Sequence, residues 1–392
     1  MKLEETTLTA SESSQTMSPI LPPSTIGMVG GGQLGRMFAM AAASMGYRIV
    51  VFCESADAPA AQVAHETVVG ELTDATAVEE FASQCDVITL EFENIPAATI
   101  AQCSEFAPTY PSASVLATAQ DRLREKSTLA KAGLPVTPFA AVDSEASVVA
   151  ASEQLGWPMI VKTAHSGYDG KGQQRIESAD QASSIPWDQC DAWVAEQCIH
   201  FDFEVSVVVA RSVGGQCECF PIFQNSHRNH ILDLSVAPAA MSESLAAEAR
   251  RVAIAAAESL EVVGLLCVEF FVQADKIMIN EVAPRPHNSG HLTIEGCETS
   301  QFQQHVRAVC NLPLGRTNLR SPVAVMLNLL GDLWPEGQGP NWDAVLKVPG
   351  VNLHLYGKHD AKKGRKMGHL TATGDSRQEV ITRITAARDA LL

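Results

Sequence analysis

Short apolar runs alternate with a helix-like segment in the first third of the chain. The run TIGMV begins at Thr25 and is followed by the glycine-rich GGGQLG, by the helical pattern RMFAMAAASMG and by a second apolar run, YRIVVFC. A further run, DVITLEF, spans Asp86–Phe92. This order predicts a Rossmann-like parallel-sheet domain over residues 25–119. Residues 1–24 lack such periodicity and end near a proline pair, which predicts a mobile extension.

The pattern changes beyond residue 120. A polar helix, QDRLREKSTLAKAG, is predicted to stop at Gly133 and Pro135. The runs WPMIVKT, AWVAEQCI and EVSVVVARS then predict a mainly antiparallel sheet, partly a lid, and an alanine-rich helix leads to the paired strands LLCVEFF and KIMINEV. We predict an α/β (α+β) fold with a domain over residues 120–320, its lid at about 136–200, and a small β-rich C-terminal subdomain over 321–392.

Charge and composition narrow the classes of function. The 45 acidic residues against 28 basic ones give a net charge of -17, which disfavours nucleic acids and anionic membranes as partners. No apolar run approaches the roughly 20 residues of a membrane helix, and the N-terminus does not resemble a signal sequence. We expect a cytoplasmic protein. Its ten cysteines form no CxxC pair, so we interpret them as reduced core thiols.

The first glycine-rich segment fits a phosphate-binding turn. Gly30, Gly32 and Gly35 match G-x-G-x-x-G between a strand and a helix, and Glu54 follows about 20 residues later, as in the dinucleotide fingerprint. Free N–H groups at a helix start can donate hydrogen bonds to a phosphate of any origin. The motif alone therefore leaves open a nicotinamide dehydrogenase, another phosphate ligand or a turn with nothing bound.

A second glycine-rich segment, MIVKTAHSGYDGKGQ, gives a stronger indication. Lys162 ends an apolar strand, and Gly167, Gly170 and Gly172 follow in a turn that also holds Lys171. Such a loop can fold over a triphosphate, with backbone N–H groups as donors and both lysines as counter-charges. Because no Walker A motif is present, a nucleotide site here must be of another type.

Carboxylates on two later pairs of strands complete a candidate nucleotide and metal site. The backbone of Glu196–Ile199 can pair with an adenine edge, and Glu204 can hold ribose hydroxyls. If the turn QADK pairs Glu269 with Glu281, give or take one residue, the two side chains emerge about 5 Å apart on one sheet face. Such a pair suits Mg²⁺, with Asn280 as a further oxygen ligand or a hydrogen-bond partner.

The segment VAPRPHNSGH follows the second of these strands directly. Its prolines predict a polar loop beyond the metal, where Arg285 can stabilise a phosphoryl group or a carboxylate. His287 and His291 are spaced i and i+4, but without a helix or an HExxH context this spacing does not favour zinc. Near the C-terminus a basic cluster is either a surface turn or a phosphate-binding patch; it consists of Lys358, Lys362, Lys363, Arg365 and Lys366.

In this order, GGGQLGR, IVKTAHSGYDGKGQ, EQCI, INEVAPRPHNSGH and GRKMGHL resemble the ATP-grasp superfamily. Within it the sequence is similar to the 5-(carboxyamino)imidazole ribonucleotide synthetases of bacterial purine synthesis, from about Thr25 to Leu392. GYDGKGQ and APRPHNSGH together are specific, whereas GGGQLGR is shared with related enzymes. The resemblance implies an ATP-grasp fold with an N-terminal Rossmann-like domain, a lid subdomain and a C-terminal mixed-sheet domain.

The resemblance also implies roles for individual residues. ATP would be held by Arg122, Lys162, Gly167, Tyr168, Asp169, Gly170, Lys171, Gly172, Gln173, Glu196, Gln197, Cys198, Ile199, Glu204, His227, Asn280 and Glu281. Mg²⁺ would be bound by Glu269 and Glu281. The ribonucleotide would contact Gln33, Glu93, Tyr168, Asp169, Arg285, His287, Asn288, Lys358 and Arg365. The catalytic residues would be Arg285, Lys171 and Asn288.

The implied activity is the ATP- and bicarbonate-dependent carboxylation of 5-aminoimidazole ribonucleotide through carboxyphosphate, with release of ADP and phosphate. The expected partners are these small substrates, a second copy of the chain in a homodimer and a separate mutase that takes the product. Three alternatives remain: a formate-dependent glycinamide ribonucleotide transformylase of the same superfamily, a nicotinamide dehydrogenase and a non-catalytic nucleotide-binding protein.

Overall fold

The structure is a computed structural model that describes residues 18–165, 172–334 and 339–391. In these ranges the strands are β1 Thr25–Val29, β2 Arg48–Cys53, β3 Glu66–Val69, β4 Val87–Leu90, β5 Thr109–Tyr110, β6 Phe139–Val142, β7 Met159–Thr163, β8 Gln173–Ile176, β9 Trp193–Gln197, β10 Phe203–Arg211, β11 Cys217–Cys219, β12 Phe223–Arg228, β13 Ile231–Ala237, β14 Gly264–Gln273, β15 Lys276–Ala283, β16 Val323–Leu330, β17 Val351–Leu355 and β18 Lys366–Gly374. The α-helices are α1 Gln33–Ser44, α2 Ala75–Ala82, α3 Ala97–Cys103, α4 Ala113–Ala119, α5 Arg122–Lys131, α6 Glu145–Leu155, α7 Glu243–Ser259, α8 Thr293–Gly296, α9 Gln301–Val309, α10 Trp342–Leu346 and α11 Arg377–Asp389.

The N-terminal sheet is parallel, as its apolar strands predict. Its order is β3-β2-β1-β4-β5, and helix α1 packs its buried face, including Phe38, against Phe302 and Val306 of α9. Strands β2 and β3 lie on one side of β1, and the chain then crosses to the other side of β1 to form β4 and β5. Ligands bind at the carboxyl ends of such strands, where the strand order reverses. The packing of α1 on α9 therefore fixes this edge relative to the rest of the molecule.

Two antiparallel sheets follow the N-terminal sheet. A four-stranded sheet has the order β6-β9-β7-β8, and a nine-stranded sheet has the order β15-β14-β10-β12-β13-β16-β18-β17 with β11 beside β10. The prediction that the third run, EVSVVVARS, belongs to the same sheet as the first two is wrong. That run forms β10, which pairs with β14 over its whole length because both strands bury apolar side chains beneath α7. The C-terminal strands β16, β17 and β18 extend the same sheet.

The sequence predicts a mobile extension over residues 1–24, and residues 1–17 of it lie outside the described residues. Beyond that point the prediction is wrong, because Ile20 is fixed to the protein. Its N–H donates to the Cys310 carbonyl at 2.9 Å and its carbonyl accepts a hydrogen bond from the Tyr47 hydroxyl at 2.8 Å. Among the described helices, none is both long and apolar enough to cross a membrane.

Candidate active site

The glycine-rich turn before α1 encloses a carboxylate of the protein itself. Glu91, just beyond β4, accepts hydrogen bonds from the N–H groups of Gly32 and Gly35, the second at 2.9 Å. Gly30 has a φ of 104°, which only glycine adopts readily, and a Cβ there would meet Glu91. Burial raises the pKa of Glu91. The expectation that this helix start offers free N–H groups to a phosphate is thus wrong for two of them.

A cavity of about 510 Å³ lies beside this turn at the carboxyl ends of the parallel strands. It brings together three predicted substrate residues, Gln33, Lys358 and Arg365, with Glu91 on the same wall. Burial, followed by the charge of Arg365, lowers the pKa of Lys358 to about 8. The other side chains of the basic cluster lie outside the lining, so the phosphate-patch interpretation fits only part of it.

An ion pair links the segment that follows β4 to the loop after β15. The Arg285 guanidinium binds the Glu93 carboxylate at two points: Nη2 donates to Oε1 at 2.8 Å and Nε donates to Oε2. Burial raises the pKa of Glu93, but the charge of Arg285 and its hydrogen bonds outweigh this and hold the pKa at about 2. The two residues were both predicted to contact the substrate, and the structure places them in direct contact. Glu93 is therefore an anion that fixes the orientation of Arg285.

The predicted carboxylate pair is in register. Glu269 on β14 lies directly opposite Glu281 on β15, and the register shifts immediately beyond them, so Asn280 is the extra residue of a β-bulge. Buried Asn280 Oδ1 has no hydrogen-bond partner among the described residues. Two facing carboxylates and an unsatisfied amide oxygen form a donor set that fits Mg²⁺, which prefers oxygen ligands.

The two carboxyl groups differ in their surroundings. Burial raises the pKa of Glu269, but His287, whose Nε2 lies 2.9 Å from Glu269 Oε1, outweighs it and the pKa falls to about 2. Burial and the charge of Glu269 raise the pKa of Glu281. Glu281 is nevertheless accessible to solvent. Glu269 is thus the more acidic of the two carboxyl groups, and a bound cation would offset the repulsion that Glu281 experiences.

A buried ionic cluster underlies the proposed nucleotide site. Glu196 on β9 lies 3.4 Å from Lys126 Nζ and 3.2 Å from Lys162 Nζ. Lys126 also donates to Thr137 Oγ1 at 2.7 Å and to the Asn280 carbonyl at 2.8 Å. Burial raises the pKa of Glu196, but the two lysines outweigh it and the pKa is lowered. The Glu196 side chain is therefore engaged by the protein, while Lys162 is the cluster member nearer the solvent.

Other predicted nucleotide residues lie around a smaller cavity of about 140 Å³. Gln197, Cys198 and Ile199 line it together with His200, Gln273 and Met278, so polar and apolar side chains share this slot at the end of β9. A 2.6 Å hydrogen bond joins Glu204 to His227 across β10 and β12. Arg122 Nη1 donates to the Thr163 carbonyl at 3.0 Å, beside Lys162. Of the predicted site residues, Gly167, Tyr168, Asp169, Gly170 and Lys171 lie outside the described residues.

The Gln301 side chain anchors the loop after β15. The Gln301 side chain accepts a hydrogen bond from the His287 N–H at 2.9 Å and donates to the His287 carbonyl at 2.8 Å. Asn288, a predicted catalytic residue, follows at the start of a 3-10 turn; its amide N and O are buried without a partner among the described residues. An unsatisfied buried amide is costly in an apolar setting, so this group is available to a ligand.

Three residues of the site are absent from the sequence-based predictions: Glu91, Lys126 and Gln301. Glu91 stands two positions before Glu93 at the end of a parallel strand, a place that favours ligand-binding groups and was a usable signal. Lys126 lies in a polar helix that is rich in charged residues, and Gln301 opens another helix. Nothing local in the sequence distinguishes these two from surface residues.

The fold and the site define an ATP-grasp protein. Residues 127–302 match the ATP-grasp domain, residues 24–120 the ribonucleotide synthetase preATP-grasp domain, and residues 324–383 the phosphoribosylaminoimidazole carboxylase C-terminal domain. The particular family follows from full-length relatives. The chain is 40% identical over 368 residues to the N5-carboxyaminoimidazole ribonucleotide synthase of Bacillus subtilis, covering 93% of this chain and 96% of that one. The same-named protein of Brucella melitensis is 43% identical, with 89% and 96% covered.

Solved structures agree with these relatives. An N5-carboxyaminoimidazole ribonucleotide synthetase in complex with ADP superposes with a TM-score of 0.88 at 42% identity, covering 95% of this chain and 98% of that one. The Aspergillus clavatus enzyme with ADP and 5-aminoimidazole ribonucleotide gives 0.85 at 30% identity, with 94% and 98% covered. The chain also matches 37% of a bifunctional purine synthesis protein of Dictyostelium discoideum. The chain belongs to the N5-carboxyaminoimidazole ribonucleotide synthase family and is an ADP-forming ATP-grasp ligase.

Proposed function

We propose that this enzyme carboxylates the amine of 5-aminoimidazole ribonucleotide, using bicarbonate and ATP, and releases ADP and phosphate. The observation that supports this best is a continuous series of charged groups. Glu281 and Glu269 face each other, His287 contacts Glu269, and the charge of Arg285 acts on both Glu281 and Glu91. ATP bound at one end and the ribonucleotide bound at the other would therefore bring their reacting groups together at Arg285.

At the nucleotide end, the slot that Gln197, Cys198 and Ile199 help to line combines apolar and polar groups, which suits an adenine ring, and Glu204 suits ribose hydroxyls. Lys162 is positioned to neutralise phosphate charge because Glu196 holds its ammonium group. Glu269, Glu281 and Asn280 would hold Mg²⁺, which supplies charge neutralisation on the transferring phosphoryl group.

At the substrate end, Lys358 and Arg365 would bind the phosphate of the ribonucleotide in the cavity beside Gln33. A bicarbonate oxygen then attacks the γ-phosphorus of ATP, the bond to the ADP oxygen breaks, and carboxyphosphate forms. The substrate amine attacks the carboxyl carbon, directly or after release of CO₂, and phosphate leaves. Arg285, fixed by Glu93, would hold the anionic oxygens of this intermediate, and Asn288 would donate from its amide.

The wider setting of the enzyme is also part of the proposal. One relative is named a bifunctional purine synthesis protein, which supports a role in purine synthesis. The enzyme would be cytoplasmic and would pass its product to a separate mutase. The family resemblance supports a homodimer. Sedimentation equilibrium would test this, and a homodimer would give twice the monomer mass.

The test is ADP release from the purified protein with ATP, Mg²⁺ and bicarbonate, in the presence and absence of 5-aminoimidazole ribonucleotide. We expect release to depend on both the ribonucleotide and bicarbonate. Stimulation by formate and glycinamide ribonucleotide in their place would instead identify the transformylase. Release that no ribonucleotide stimulates would contradict both functions.

A further inference from the structure

One cluster in the cleft combines a thiol with the two ligand types already described. Cys267 and Glu269 alternate along β14 and so face the same side of the sheet, and the His287 ring lies over them. One ligand atom from each residue lies within 4.8 Å of the other two. Among the described residues this is the group of histidine, cysteine and acidic side chains placed closely enough to share a metal ion.

The chemistry of this set does not match that of Mg²⁺. Mg²⁺ takes oxygen ligands, whereas a thiolate, an imidazole and a carboxylate are the ligands of zinc and of similar divalent transition metals. Zinc bonds of about 2.0 to 2.3 Å bring tetrahedral ligands to about 3.5 Å from one another. His287 Nε2 and Glu269 Oε1, 2.9 Å apart, are already closer than this and need to separate slightly. The Cys267 sulfur, within 4.8 Å of both ligand groups, needs to approach by up to about 1 Å. Side-chain rotation can supply both changes.

From this geometry we infer that Cys267, Glu269 and His287 form an inhibitory site for zinc or a similar soft divalent cation. On binding, the Cys267 thiol loses its proton to solvent. His287 Nε2, which donates its proton to Glu269 in the metal-free site, also gives up that proton to solvent, or gives it up while Nδ1 gains one, and its lone pair then binds the metal. Thiolate and carboxylate together balance the charge of the ion. The nearby positive charge of Arg285 does not prevent this, because Glu93 neutralises it.

Zinc bound at this site would compete with the groups that Glu269 and His287 bind during the reaction. A zinc ion in this position occupies Glu269 and holds His287 away from the substrate, so it blocks turnover even when Mg²⁺ and ATP are abundant. This inhibition rests on the proposed function, since it depends on the roles assigned to Glu269 and His287. Binding of the metal does not depend on those roles, and the two can be measured separately.

Binding is tested with Co²⁺, because a thiolate bound to Co²⁺ gives a near-ultraviolet charge-transfer band that carboxylates and imidazoles do not give. We expect the full-length protein to develop this band with one equivalent of Co²⁺. The variants Cys267→Ala and Cys267→Ser should lose it. Cys103→Ala is the matched control, because Cys103 is also fully buried but lies in the N-terminal sheet unit, and it should keep the band.

Inhibition is then measured by adding Zn²⁺ at fixed Mg²⁺ and ATP. We expect the half-inhibiting zinc concentration to rise by at least about tenfold in both Cys267 variants, with little change in turnover when zinc is absent. No cobalt band in the wild-type protein, or equal zinc inhibition of wild type and both variants, would overturn the inference. A cobalt band in a protein without ribonucleotide-dependent turnover would support the metal site and contradict the proposed function instead.

Discussion

The Arg285 guanidinium and the Glu93 carboxylate form a two-point ion pair between residues 192 positions apart in the chain. Arg285 comes from the loop after β15 and Glu93 from the end of β4, so the pair ties the N-terminal sheet to the ATP-grasp part of the molecule. An arginine held in this way keeps its charge and direction before any substrate arrives, which lowers the cost of binding an anionic intermediate.

Glu93→Gln removes the charge that fixes Arg285. We expect kcat/KM for the ribonucleotide to fall by about 10- to 100-fold, because a misplaced catalytic group loses much of its effect. The melting temperature should also fall, since Arg285 would lose its partner. Steady-state kinetics and thermal unfolding measure the two effects.

The matched control for this variant is Glu66→Gln. Glu66 pairs with Arg48 at 2.7 Å, but both side chains are exposed, so the loss of stability should stay within about 1 kcal/mol. Unchanged kinetics in Glu93→Gln would show that the ion pair is not needed to position Arg285.

Glu281→Gln tests the facing carboxylates. A neutral amide opposite Glu269 removes one of two charges that would hold Mg²⁺, so we expect turnover to be abolished while the fold stays intact by circular dichroism. Asp275→Asn, at the exposed tip of the same hairpin, should behave as wild type. Substantial activity in Glu281→Gln would rule out the metal assignment.

Lys126→Met tests the buried ionic cluster. Without the ammonium group, Glu196 keeps only Lys162 as a cationic partner, and breaking a buried pair costs about 3 to 5 kcal/mol. We expect a loss of stability of this size in urea unfolding and weaker ATP binding by calorimetry. Lys131→Met, at the exposed end of the same helix, is the control and should change neither. Equal stability of the two variants would contradict the account.

The pH dependence of substrate binding should follow Lys358. Its ammonium group is present below the pKa of about 8 and is lost as the pH rises through that value. Phosphate binding therefore weakens on the alkaline side, and kcat/KM for the ribonucleotide should decline above about pH 8. Lys358→Arg should abolish this decline, because arginine stays protonated. A decline that persists unchanged in Lys358→Arg would assign it to another group.

The sequence predicts those parts of the site that depend on local spacing. The pairing of Glu269 with Glu281 follows from a short turn between two apolar runs, and the structure has this register. The parallel order of the first strands follows equally from strand and helix periodicity. In both cases the neighbours along the chain determine the geometry.

The features that depend on distant contacts could not be predicted in this way. Glu91 accepts hydrogen bonds at the start of α1 only because β4 lies next to β1. From the sequence alone, the N–H groups at the start of α1 are expected to be free. Lys126 is buried because α5 packs beneath β15, although its own helix is polar. The assignment of β10 to the larger sheet likewise depends on strand order, which periodicity does not give.

The central claim is that bicarbonate is activated by phosphoryl transfer from ATP before the carboxyl group reaches the amine. The most direct measurement uses ¹⁸O-labelled bicarbonate with ATP, Mg²⁺ and 5-aminoimidazole ribonucleotide, followed by mass spectrometry of the released phosphate. We predict that phosphate carries one ¹⁸O atom for each turnover, because a bicarbonate oxygen becomes the bridging oxygen of carboxyphosphate. Phosphate without label during productive turnover would contradict the account.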